Sequence, residues 1–179
     1  MEDCADEKQT QHHLGAAHGF GPVMSEETVA FAVSAKTPTD KNCLLMTSFE
    51  TKQLKRKEQS VARVKYTTAD DFNSFVVQPI EKGDKFEGVA TALVADIRLI
   101  PYGRQASDKC RGICVIDRVD QGMHDGHAAL CFGDKEPADL PETTKARERK
   151  LADFRREVMS DLAEKFGPIS TINAVRWAS

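Results

Sequence analysis

Residues 141–168 read PETTKARERKLADFRREVMSDLAEKFGP, and this stretch decides the class of fold. Leu151, Phe154, Val158, Leu162 and Phe166 recur at steps of three and four, which is one apolar stripe at the helical period. Lys145, Arg147, Arg149, Lys150, Arg155 and Arg156 fall at other positions. Pro141 suits a first helical turn, and Gly167-Pro168 suits a stop. A long helix that is apolar along one stripe only must bury that stripe against a second layer.

The upstream sequence supplies that layer. Val29, Phe31 and Val33 alternate with smaller residues across Thr28–Ala35, which is a strand pattern. Residues 36–40 read as a turn, 43–49 as a short apolar strand and 61–66 as another alternating run. Arg111 to Val119 is rich in branched residues and suits a central strand. Residues 120–126 form a loop, and 127–132 return as the second arm of a hairpin. Residues 169–177 read as a final strand with Ile169, Val175 and Trp177 on one face.

Between these runs, Thr68-Ala69-Asp70-Asp71 has the form of a capping box. Phe72, Phe75 and Val76 follow at helical spacing, so a short helix is predicted that ends before Pro79. Residues 86–100 fit both periods, and Gly88 with the branched residues tilts the reading towards a buried strand.

The predicted fold is therefore α+β: a mainly antiparallel sheet with one short helix and one long C-terminal amphipathic helix packed on one face. Residues 1–24 are polar, are broken by Gly15, Gly19, Gly21 and Pro22, and include His12, His13 and His18. They are expected to form a flexible tail ahead of a single domain over 25–179.

Composition narrows the function classes. The chain has 179 residues, with 25 Lys and Arg against 28 Asp and Glu. A formal net charge of −3 argues against a dedicated nucleic-acid binder, although it leaves room for a local basic face. No apolar run approaches the roughly 18 residues of a membrane span. The acidic start, Met1-Glu2-Asp3, lacks the order of a secretory signal, so the expected compartment is the cytoplasm. Five cysteines (Cys4, Cys43, Cys110, Cys114 and Cys131) are then expected as thiols rather than disulfides.

Reactive residue types are densest between Cys110 and Cys131. Cys110 and Cys114 are spaced too widely for a zinc knuckle, since residues four apart on a strand lie about 13 Å from one another. No metal and no cofactor is therefore expected. His124, Asp125, His127 and Cys131 contain the residue types of a thiol nucleophile, its base and an orienting group. They support one reading, a small hydrolase or nuclease. Basic residues at 52–65 and 145–156 support another, nucleic-acid binding, although Glu148, Asp153 and Glu157 interrupt the second set. Phosphate-loop, dinucleotide and zinc-protease motifs are absent from the sequence.

The leading expectation is a non-enzymatic accessory module of a bacterial multi-protein system, with another protein as its partner. The bacterial assignment follows from size and missing motifs, not from any residue. The contact surface is expected at Lys145, Arg149, Arg155 and Arg156, together with the loop 120–126. Oligomeric state is not legible in the sequence.

Overall fold

A computed structural model describes residues 11–12, 20–56, 59–103, 110–119, 124–133 and 135–179. Most of the expected tail, and residues 120–123 of the expected contact loop, lie outside the described residues. Five antiparallel strands form the sheet: β1 (Thr28–Ser34), β2 (Gln59–Arg63), β3 (Phe86–Leu93), β4 (Ile113–Val119) and β5 (His127–Phe132). Their spatial order is β4-β5-β2-β1-β3, and the two-residue strand Gln11–His12 pairs in parallel along the edge of β4.

Alternation in the strands separates two faces. Val29, Phe31 and Val33 of β1, Val61 of β2, Val115 of β4 and Leu130 of β5 belong to the main core. The long helix α4 (Thr144–Lys165) closes this core with Leu151, Phe154, Val158 and Leu162, as its stripe requires. It begins three residues after Pro141, because Thr143 is still extended and serves as N-cap. Phe166 ends it in extended geometry and packs its ring 6.0 Å from Phe31 and 5.7 Å from Phe49.

The opposite face holds a second cluster of Ala30, Ala62, Val64, Phe72, Val77 and Val89. Here the short helix lies, so the two helical layers flank the sheet rather than share a side. Ahead of it in the chain lies α1 (Thr51–Arg56); the short helix itself, α2, covers 69–81 and does not stop before Pro79. It passes through a π-turn at Asn73–Val77, in which Gln78 N–H donates to the Asn73 carbonyl, and then resumes over Gln78–Glu81. A proline disrupts a regular α-helix by its missing N–H and by its ring. The widened turn just before Pro79 rearranges that ladder, so the helix continues.

Three other segments differ from the periodicity. Residues 86–100 are a strand to Leu93 and then a short helix, α3 (Val94–Arg98). The switch comes where the upstream chain takes over the backbone bonds: Val94 N–H donates to the Glu27 carbonyl and Ala95 N–H to that of Ser25. Residues 43–49 contribute only Cys43–Leu44, paired with Thr39–Asp40 across a turn with positive φ at Lys41 and Asn42. The predicted last strand makes one bridge, Val89 to Ser170, followed by a single 3₁₀ turn at Ile172–Ala174. Its apolar residues pack on α2 instead, with the Trp177 ring 4.6 Å from Phe72.

Residues 20–24 pack against the sheet. Val23 is buried, and the Phe20 ring stacks on Tyr66 at 4.1 Å. Arg63, wholly buried at the end of β2, ties this segment down. Its Nε and Nη2 donate to Glu27 at 2.8 Å each, and its Nη1 donates to Asp117 at 2.8 Å and to the Gly21 carbonyl at 2.9 Å. Burial works against the guanidinium charge, but Glu27 and Asp117 outweigh it and hold its pKa above the ordinary value.

The expectation about cysteines divides. Cys43, Cys110 and Cys131 are thiols, whereas Cys114 is disulfide-bonded. An argument from compartment and spacing carries no geometry, so it missed that bond. Among the described residues, no helix is long and apolar enough to cross a membrane.

Candidate functional site

A cavity of about 430 Å³ opens between the second face of the sheet and α2. Its floor is Ala30 and Ala32 of β1 with Ser60 and Ala62 of β2. Small side chains at alternate strand positions leave a hollow that valine or phenylalanine would fill. Its roof is Phe72, Phe75, Val76 and Ile80, so the π-turn contributes two of the four roof residues. Ser48, Glu50 and Gln53 lie at one end, and His124 and His127 line the cavity together with Gln59. A volume of several hundred cubic ångströms with mostly apolar walls and a few polar groups is the usual form of a small-molecule site.

The capping box fixes where α2 starts. Asp71 N–H donates to Thr68 Oγ1 at 3.0 Å, and Thr68 N–H donates back to Asp71 Oδ2 at 3.4 Å. The residue just before it, Thr67, positions a histidine. The Thr67 hydroxyl donates to the Arg63 carbonyl at 2.9 Å, leaving its oxygen facing His124 Nδ1 at 3.4 Å. On the other strand arm, His127 Nδ1 lies 2.6 Å from the Arg118 carbonyl. The two rings stand nearly perpendicular with centroids 6.1 Å apart. Gly126 lets the turn between them sit tight: a Cβ there would collide with Thr67 Oγ1 and the Tyr66 carbonyl.

Both imidazoles are buried, His124 at 6% exposure and His127 at 4%. Burial, and then the neighbouring His127, push His124 down to about 4, against a smaller opposing pull from Asp71 and Asp125. At neutral pH it is an uncharged ring. Among the described residues, His124 Nε2 and Gln59 Oε1 are buried without a hydrogen-bond partner. A buried polar atom left so costs about 1–3 kcal/mol.

The residues singled out in sequence fall apart into separate places. His124 and His127 come together. Asp125 is exposed in the turn. Cys131 shares a face with His127, but four residues of strand separate them by about 13 Å. Its thiol donates to the Cys114 carbonyl at 3.9 Å. Among the described residues, no group of three or more His, Cys, Asp or Glu side chains is placed to hold a metal ion.

On α4, Lys145, Arg149 and Arg156 lie along one exposed line, and Arg156 pairs with Asp153 at 3.1 Å. Arg155 turns to the core side, donating to the Tyr102 hydroxyl at 3.2 Å with its guanidinium 5.6 Å over the Phe132 ring. Of the basic residues in 52–65, Arg63 is buried in its ion pairs.

Sequence reasoning missed the walls of the cavity, because they come from five separate segments. A usable signal was present: on β1 and β2 the residues alternating with Val29, Phe31 and Val61 are Ala30, Ala32, Ser60 and Ala62, all too small to fill a face. Compared with known protein families, curated proteins and solved structures, the chain matches none.

Proposed function

We propose that this protein binds a small, mainly apolar molecule between its sheet and α2. The cavity itself carries this reading. Its floor consists of small side chains at two successive outward positions on each of β1 and β2, and its roof includes a π-turn, a feature that recurs at functional sites. Binding is favoured over thiol-based hydrolysis because Cys131 and Asp125 do not accompany the histidines.

The test is to fill the hollow. Replacing Ala32, which is half-buried on the floor, by leucine occupies cavity volume without touching the main core. The native chain should bind 2-naphthol, read by perturbation of the Ala30 and Ala62 methyl signals in NMR spectra. Ala32→Leu, folded by circular dichroism, should not. Equal binding by the two proteins would sink the reading.

A second reading keeps α4 as a contact surface for another macromolecule, and the exposed line of Lys145, Arg149 and Arg156 supports it. Reversing charge at Lys145 and Arg149 should then weaken capture of a partner while leaving 2-naphthol binding alone. Undiminished capture would remove α4 from the interface.

A further inference from the structure

The cavity's polar groups specify more than its size does, and the inference rests on the ligand-pocket reading above. The Thr67 hydroxyl has one proton, and it goes to the Arg63 carbonyl. Its oxygen can therefore only accept from His124, so Nδ1 of His124 carries the hydrogen. The Arg118 carbonyl can likewise only accept, so Nδ1 of His127 carries the hydrogen there. In a neutral imidazole the other nitrogen is then an acceptor. A contact made outside the cavity thus sets Nε2 of the neutral His124 ring as a lone pair.

Gln59 adds a second acceptor, its buried Oε1. Among the described residues, no Lys or Arg lines the cavity, and the one carboxylate is Glu50. An anion entering here would lose its water and gain no cation from these residues. A molecule with no donor would leave His124 Nε2 and Gln59 Oε1 as they are.

We infer that the ligand is an uncharged, flat molecule carrying a hydroxyl or N–H group that donates to Nε2 of His124. The flatness follows from a floor of small side chains opposite Phe72 and Phe75. Phe75, which is 42% exposed, has its ring 6.0 Å from the His124 imidazole.

Three probes of one shape test this on the full chain by calorimetric titration: 2-naphthol, 2-methoxynaphthalene and 2-naphthoate. The expected result is that 2-naphthol binds at least about tenfold tighter than the ether, since a site built to hydrogen-bond a donor discriminates strongly against its absence. Naphthoate should bind more weakly than both. His124→Phe keeps a ring in place and removes the acceptor, so it should bring the naphthol and the ether to equal affinity.

Equal binding of naphthol and ether to the native chain would overturn the donor requirement while leaving the pocket reading standing. No binding of any probe would overturn the pocket reading and this inference with it. Naphthoate binding tightest would show the rings acting as cations and overturn the acceptor assignment. Independently of any ligand, the imidazole ¹⁵N shifts of the free protein should report hydrogen on Nδ1 of His124, and hydrogen on Nε2 instead would end the proposal.

Discussion

Acidification should destabilise this protein well above the pH at which carboxylates begin to titrate, and His124 should be the reason. Burial, with His127 beside it, lowers the His124 pKa to about 4 from its ordinary value of 6.5. The unfolded chain, with its ordinary pKa, therefore takes up the proton first as pH falls. Stability from the neutral ring is fully present above about pH 6.5 and is lost progressively down to about pH 4. Each pH unit between the unfolded and folded pKa is worth about 1.4 kcal/mol, so roughly 2 kcal/mol should be gone by pH 5 and roughly 3 kcal/mol by pH 4.

The groups facing the ring are His127, which reinforces the shift, and Asp71 and Asp125, which oppose it. Urea unfolding at intervals between pH 7.5 and 5 measures the loss, and the same series on His124→Phe isolates it. The native chain should lose roughly 2 kcal/mol more than the variant over that range. Parallel stability curves for the two proteins would mean that the imidazole is hydrated or already charged in the fold. In that case the neutral acceptor inferred for the cavity would fall as well.

Other perturbations probe the frame around the site. Arg63→Met leaves Glu27 and Asp117 buried without their guanidinium and should cost about 3–5 kcal/mol in denaturant unfolding, whereas adding Glu27→Gln and Asp117→Asn should recover part of it. Thr68→Ala removes the N-cap of α2 and should cost about 1 kcal/mol, with the loss visible as faster hydrogen exchange at the Asp71 amide. Gly126→Ala forces a Cβ against Thr67 and the Tyr66 carbonyl and should cost about 1–3 kcal/mol, while also weakening the contact that orients His124; unchanged stability and unchanged histidine ¹⁵N shifts would refute that account.

Several elements were legible in advance for identifiable reasons. The stripe Leu151 to Phe166 is long enough that no other period fits it, and the capping box at Thr68 uses only bonds between residues three apart. The hairpin of β4 and β5 followed from two apolar runs joined by a Gly-containing loop, and its register places Cys114 opposite Cys131. Pro79 misled because a breaker was weighed without the π-turn that accommodates it. Residues 94–98 turned helical because Glu27 and Ser25, some seventy residues upstream, claim their first backbone N–H groups. Residues 169–177 lost their strand because Ile172, Val175 and Trp177 found burial on Phe72 and its neighbours rather than in a ladder.

The site divides along the same line. Residue types and local periods depend on neighbours a few positions apart, and from them the sequence by itself determined the α+β class, the long helix, most strands and the nearness of His124 to His127. Everything that makes the histidines chemically particular arises between distant segments. Thr67 and the Arg118 carbonyl set the hydrogen on each Nδ1, burial removes the charge of His124, and the small residues of β1 and β2 meet the roof of α2 to leave a cavity. Only the tertiary structure decided these, because desolvation and hydrogen-bond pairing depend on what surrounds an atom in space, which no spacing along the chain encodes.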